Sequence, residues 1–148
     1  MQGPFGNGFS LSLSSRRLLL CAAHLSLEPR LFLLALHALQ RAADVVWVSD
    51  SLSLALPPQI EILKRSDLPA AMEWSDACAV AVPLHQAGET LNALHIKPAD
   101  RSKVEVFIDA PLVCGSSRCG VCALETRKGF RLACKDGPIF PLKELQGD

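Results

Sequence analysis

Six cysteines occur in the chain, and four of them fall near the C-terminus at a spacing that invites chemistry. CGSSRCGVC, residues 114 to 122, brings Cys114, Cys119 and Cys122 into nine positions, and Cys134 follows in ACKDGP, so the run reads C-x4-C-x2-C-x11-C. Four thiolates complete either a 2Fe-2S cluster or a tetrahedral structural zinc. A third reading leaves them unligated in a reduced protein. For a cluster the loop must be irregular, because thiolates converge on it while backbone N–H groups offset its negative charge. Gly115 and Gly120 allow that close approach, and Ser116 and Ser117 offer further donors. The opening C-x4-C-x2-C favours 2Fe-2S, whereas zinc ribbons usually present two C-x2-C knuckles and this chain has one.

Composition fixes the setting for those thiols. The 148 residues suit one ordinary domain, or a small domain with an appended lobe, and 15 basic against 15 acidic residues give no electrostatic footprint for nucleic acid. The apolar runs Leu18–Ala23 and Leu31–Leu39 are too short to span a bilayer, and Ser15-Arg16-Arg17 ahead of the first is a weak export signal. A cytoplasmic location follows as the default, and there cysteines point to metal or redox chemistry rather than disulfides. Cys21 and Cys78 sit inside LLLCAA and DACAVAV and read as buried core residues.

The elements that must position the cysteines fall into two segments, residues 1–97 and 98–148. In the first, RLLLCA (17–22) and DVVWV (44–48) are apolar on both faces, as buried parallel strands are. Between them EPRLFLLALHALQRA (28–42) predicts a helix capped by Ser26, with Leu31, Leu34, Ala35 and Ala38 on one face. A strand at 59–63, a short helix at 68–74, a strand at 77–82 and a helix at about 86–94 continue the alternation. The fold class is therefore α/β, a small doubly wound parallel sheet. In the second segment KVEVFI (103–108) predicts a strand with one wet face, and 121–126 with 130–133 a β-hairpin turning at Gly129. That hairpin returns Cys134 towards the other three thiols.

CGSSRCGVC with ACKDGPIF resembles the C-terminal iron-sulfur module of the electron-transfer subunit of NAD-linked dihydroorotate dehydrogenase, whose loop is CG-x3-C-x2-C and whose ending is CKDGPVF. GPFGNGF, Gly3 to Phe9, is similar to that family's GPLGNGF, which opens its nicotinamide-binding lobe. The resemblance implies a ferredoxin reductase-like nucleotide-binding lobe followed by a β-hairpin iron-sulfur module. It further implies Cys114, Cys119, Cys122 and Cys134 as ligands of a 2Fe-2S cluster. The function implied is a relay of single electrons between a flavin and a partner oxidoreductase, in pyrimidine biosynthesis where the partner oxidises dihydroorotate. Such a chain is an electron-transfer component rather than a complete enzyme.

Three departures qualify the carry-over. The family's flavin-binding barrel precedes GPLGNGF, and here only Met1 and Gln2 do, so FAD on this chain is not expected; a fragment of a longer flavoprotein is the companion reading. A dinucleotide lobe also needs a glycine-rich turn after its first strand, and CAAHLSLEP (21–29) has no glycine, while Glu28 would repel phosphate. NAD binding is therefore not expected, and Asp50-Ser51 is a weak ribose signal. Finally, a glycine common between the first two ligands is Ser117 here, followed by Arg118. Arg118, Arg127, Lys128, Arg131, Lys135 and Lys143 outnumber Glu125, Asp136 and Glu144, which suits either an acidic redox partner or an ordinary wet hairpin. His24, His37, His85 and His95 lie outside the cysteine run and read as core-edge or surface residues. The rival function is a non-redox interaction module in which the four cysteines hold structural zinc.

Overall fold

The computed structural model describes residues 7–10 and 15–145. Gly3–Gly6 of GPFGNGF lie outside the described residues; Asn7, Gly8 and Phe9 are within them. By compactness the chain forms two units, divided after Ala81: one holds residues 15–81, the other residues 7–10 with 82–145.

In the first unit, strand β1 (Arg17–Ala22) pairs in parallel with β2 (Asp44–Val48), and β2 with β3 (Glu61–Leu63). On its other side β1 takes β4 (Ala77–Pro83), also in parallel, with Leu19 opposite Cys78. The order β3-β2-β1-β4 is that of a doubly wound sheet. Uninterrupted apolar sequence is what such strands need, and Leu19, Leu20, Trp47, Val48, Cys78 and Ala79 are all fully buried. Each large side chain so buried stabilises by about 1.5–3 kcal/mol against leaving it exposed.

Helix α1 (Glu28–Gln40) crosses from β1 to β2 and buries Leu31, Ala35 and Ala38, with Leu34 half-buried. The expected Ser26 cap is corrected: Ser26 lies inside a 3-10 turn, Leu25–Leu27, and the N-cap is Leu27, without a side-chain cap. The extra turn tightens the entry, and Leu27 takes the cap position and is buried. Ala42 closes the helix in the left-handed region at φ 57, a place usually given to glycine. Helix α2 (Leu68–Trp74) precedes β4.

The second unit contains α3 (Ala87–Ala93), β5 (Val104–Asp109), a hairpin of β6 (Ala123–Thr126) and β7 (Gly129–Leu132), then β8 (Ile139–Pro141) and α4 (Leu142–Leu145). Alternation in KVEVFI is realised as expected: Val104, Val106 and Ile108 are buried while Glu105, Phe107 and Asp109 are half-buried. β8 runs antiparallel to β5, with Phe140 opposite Val106. In the hairpin Thr126 faces Gly129, whose φ of 93 permits the two-residue turn through Arg127 and Lys128. No helix among the described residues is long and apolar enough to cross a membrane.

Candidate metal centre

The loop between β5 and β6 carries three of the thiols, and its backbone explains its composition. Gly115, Ser117 and Gly120 all adopt left-handed φ, at 57, 65 and 71. Glycine takes that conformation without cost. The position where the related family commonly has glycine is thus one where glycine is favoured, and Ser117 occupies it under strain.

Those turns aim backbone N–H groups inward. The N–H of Ser116 donates to Cys114 Sγ at 3.5 Å, and the N–H of Cys119 also donates to it. The Ser116 donation first, then that of Cys119, holds the Cys114 thiol at about 5, well below its ordinary range. Cys114 and Cys119 also meet side chain to side chain. Across the loop Cys122 and Cys134 form a second pair, and burial pushes the Cys122 thiol up. The backbone joins these two residues as well, since Ala133 N–H donates to the Cys122 carbonyl at 3.0 Å. Ser117 Oγ lies 3.9 Å from Cys134 Sγ.

All six cysteines are free thiols. Cys122 and Cys134 are buried, Cys114 is half-buried and Cys119 is exposed. Cys21 and Cys78 are core residues as expected, and burial raises the Cys21 thiol to about 11. Among the described residues, no three His, Cys, Asp or Glu side chains converge on one point fit for a single ion. The donor chemistry nonetheless suits an iron-sulfur group: two pairs of thiols, with N–H donors on a sulfur of the first pair.

After Cys134 the chain makes a tight turn. Lys135 and Asp136 N–H groups both donate to the Leu132 carbonyl, at 3.0 and 2.7 Å, and Leu132 N–H donates to the Asp136 carboxylate at 3.0 Å. Gly137 is required by space, because a Cβ there would run into the Phe140 ring. The excess of basic residues is partly consumed: Lys128 pairs with Glu144 at 2.7 Å and Arg131 with Asp136 at 3.7 Å. Arg118, Lys135 and Lys143 stay exposed, and no histidine lies in the cysteine run.

The carboxyl ends of β1 and β2 are where a doubly wound sheet binds its ligand. A cavity of about 220 Å³ opens there, lined by Ala22, Ala23, His24, Glu28, Asp50 and Arg65 among others. It is smaller than the roughly 300–1,000 Å³ of ordinary ligand pockets. Most of its polar groups are engaged, although Arg65 Nε is buried without a hydrogen bond and has only Asp50 at 3.7 Å. Arg65 donates to the carbonyls of Ala22 at 3.2 Å and Ala23 at 3.4 Å, and its backbone N–H donates to Asp50 at 2.9 Å. Glu28, buried at the first turn of α1, accepts from the N–H and hydroxyl of Ser53 at 3.0 and 2.7 Å. Nothing in the sequence signalled Arg65. A larger cavity of about 780 Å³, between α3 and β6, is lined by Leu84, Leu91, Arg101 and Leu124 together with His85, Glu125 and Arg127, and the sequence did not bring these residues together.

Comparison with known proteins meets this geometry at its C-terminal end. Residues 110–146 match the family model of the iron-sulfur cluster binding domain of dihydroorotate dehydrogenase B. The dihydroorotate dehydrogenase B (NAD(+)) electron transfer subunit of Clostridium acetobutylicum is 38% identical over 52 residues, which are 34% of this chain and 21% of that protein. The match thus spans well under two thirds of that relative's length. The solved structure of an NADH-dependent reduced ferredoxin-NADP oxidoreductase, described for flavin-based electron bifurcation, aligns over 98% of this chain and 59% of its own, at TM-score 0.69 and 18% identity. That likeness establishes a shared fold. The resemblance carried by the cysteine motifs is thereby shown: residues 110–146 are similar to the iron-sulfur cluster binding domain of dihydroorotate dehydrogenase B, in a chain of ferredoxin reductase-like α/β fold.

Proposed function

We propose that the protein is a 2Fe-2S electron-transfer component, with Cys114, Cys119, Cys122 and Cys134 as the cluster ligands, relaying single electrons between a flavin and a partner oxidoreductase. The observation that carries this reading is the sorting of the four thiols into Cys114 with Cys119 and Cys122 with Cys134. A 2Fe-2S cluster takes two protein ligands on each of its two irons, whereas zinc gathers four about one point. The cluster, when bound, supplies one-electron transfer and no bond chemistry.

The residues of this chain then have separable tasks. Ser116 and Cys119 N–H groups stabilise a thiolate at Cys114 before any metal arrives. Burial of Cys122 and Cys134 keeps water from one side of the site, and hydrogen bonds and burial of this kind are what set a cluster's potential. Cys119, Val113 and Val121 are exposed at the loop, which suits a partner approaching from that side. A cytoplasmic setting fits six free thiols.

Glu28 and Arg65 fill the strand-end crevice with paired side chains, so neither NAD nor FAD is assigned to it. The partner in this reading is a flavoprotein oxidoreductase subunit of the dihydroorotate dehydrogenase catalytic type, or another redox partner, because the relative is by name the electron transfer subunit of such a dehydrogenase.

The test is absorption and low-temperature EPR on anaerobically purified protein, with iron, sulfide and zinc assayed on the same sample. Two irons and two sulfides per chain, with a reducible visible chromophore, are expected. Colourless protein with one zinc and no sulfide sinks the relay and establishes the structural zinc module. Titration with NADH should give no saturable heat.

A further inference from the structure

The two motifs that carry the family resemblance stand at opposite ends of the sequence, and in space one holds the other. Asn7, from the N-terminal GNGF, makes three hydrogen bonds to the segment that follows the fourth thiol. Its backbone N–H donates to the Gly137 carbonyl at 2.6 Å, its side-chain Nδ2 donates to the Asp136 carbonyl at 3.2 Å, and its Oδ1 accepts from Ile139 N–H at 3.1 Å. Three backbone groups between Cys134 and the start of β8 are thereby fastened to one residue.

Residue type explains the choice. Only a short amide presents a donor and an acceptor in one plane. Aspartate offers no donor for the Asp136 carbonyl, and glutamine is one methylene longer. The strap itself is anchored three residues on, where Ser10 N–H donates to Glu105 on β5 at 2.9 Å and its hydroxyl bonds the same carboxylate. The strap therefore bridges β5 to the start of β8, the paired strands that bracket the segment holding all four thiols.

We propose that Asn7 is a positioning residue for the Cys134 thiol: the N-terminal strap belongs to the cysteine module and fixes its fourth ligand. This rests on the assignment of Cys134 as a cluster ligand, but the clamp itself is a property of the metal-free chain. Asp136 holds the near side of the turn through Leu132 N–H, and Asn7 holds the far side. Releasing the far side frees the Cys134 segment while leaving the core of the 15–81 unit intact.

The experiment measures alkylation of metal-free, full-length protein by N-ethylmaleimide, read per cysteine by peptide mass spectrometry. Cys21 and Cys78, both buried in the other unit, report global opening in the same sample. Asn7→Ala is expected to speed alkylation of Cys134 at least about tenfold with Cys21 and Cys78 unchanged, Asn7→Asp to give an intermediate rate, and Ser10→Ala a smaller effect than either. A second arm reconstitutes the cluster and follows its loss to a chelator, which Asn7→Ala should accelerate, with an altered EPR line shape. If Cys134, Cys21 and Cys78 speed up together, or none does, Asn7 is not a positioning residue. If the alkylation result holds and wild type takes up no iron or sulfide, the clamp stands and the cluster assignment is what fails.

Discussion

The cysteine loop and the strand-end crevice are built on opposite plans. In the loop, left-handed turns at Gly115, Ser117 and Gly120 leave a backbone N–H group directed at sulfur and a hydroxyl near a second one. In the crevice, where a dinucleotide lobe usually offers bare glycine backbone, Glu28 and Arg65 fill the approach and are bound to the chain itself. A site able to receive a ligand keeps donors in reserve; the crevice turns most of its own onto the chain's carbonyls and hydroxyls, Arg65 Nε being the exception. The difference lies in side-chain pairing rather than in fold, since the sheet order around the crevice is still that of a dinucleotide lobe.

The largest effect that sharpens this contrast is expected at Cys134. Cys134→Ala removes one of the two buried thiols of the candidate site and with it one half of the Cys122 pair. Iron and sulfide content should fall to near zero and the visible bands should vanish, while the same change at Cys21 or Cys78 leaves both intact. Retention of full colour in Cys134→Ala would remove the residue from the ligand set.

Next comes the crevice. Glu28→Ala leaves the N–H and hydroxyl of Ser53 without their acceptor and opens space beside α1. Loss of such a partly buried acceptor costs about 1–3 kcal/mol, measurable as a lower urea midpoint. If Glu28 were instead idle, its removal would leave the midpoint where it was and the crevice would count as open. NADH binding that appears only in Glu28→Ala would show that the carboxyl group alone had closed the site.

These two regions were not equally legible in the sequence. The parallel strands could be read because RLLLCA, DVVWV and ACAVAV are apolar on both faces, and local pattern decides the matter. The hairpin turn could be read because Gly129 stands between two short runs. The cap at α1 could not: Ser26 is a good capping residue by type, and a 3-10 turn that buries Leu27 displaced it. The four thiols announced themselves by spacing, but their division into pairs depends on the turn that returns Cys134. Arg65 left no trace, because one arginine reaching two carbonyls more than forty positions away has no local signature. Asn7 was visible only as part of a motif whose partner lies 129 residues on.

A smaller effect is expected at Ser117, where the loop's plan is imperfect. Ser117→Gly relieves a left-handed φ of 65 but adds freedom to the unfolded chain, so the metal-free protein should change by no more than about 1 kcal/mol, in the stabilising direction. The hydroxyl 3.9 Å from Cys134 Sγ is lost at the same time. Fewer donors near a ligand sulfur disfavour the more negative reduced cluster, so the midpoint potential should fall. A potential that rises, read by redox titration against wild type, would place Ser117 Oγ away from the sulfur.

The smallest effect lies on the surface of the 15–81 unit and tests whether charge pairing by itself makes scaffold. Arg17 and Asp76 meet at 2.6 Å, and Arg17 also stands over the Trp74 ring at 6.0 Å. The hydrogen bond from Arg17 holds the Asp76 carboxyl below its usual 3.8. A depressed folded value makes the pair's contribution complete above the unfolded pKa and lost as the pH falls through the folded one. Asp76→Asn should therefore lower the urea midpoint slightly at pH 7, and the gap from wild type should close as the pH drops below 3.8. Added salt should narrow it as well, because the pair is open to solvent. A gap as large as that for Glu28→Ala, and indifferent to pH, would mean that exposed pairing contributes as much to the lobe as the buried Glu28 does, and the contrast between the two regions would then not turn on burial.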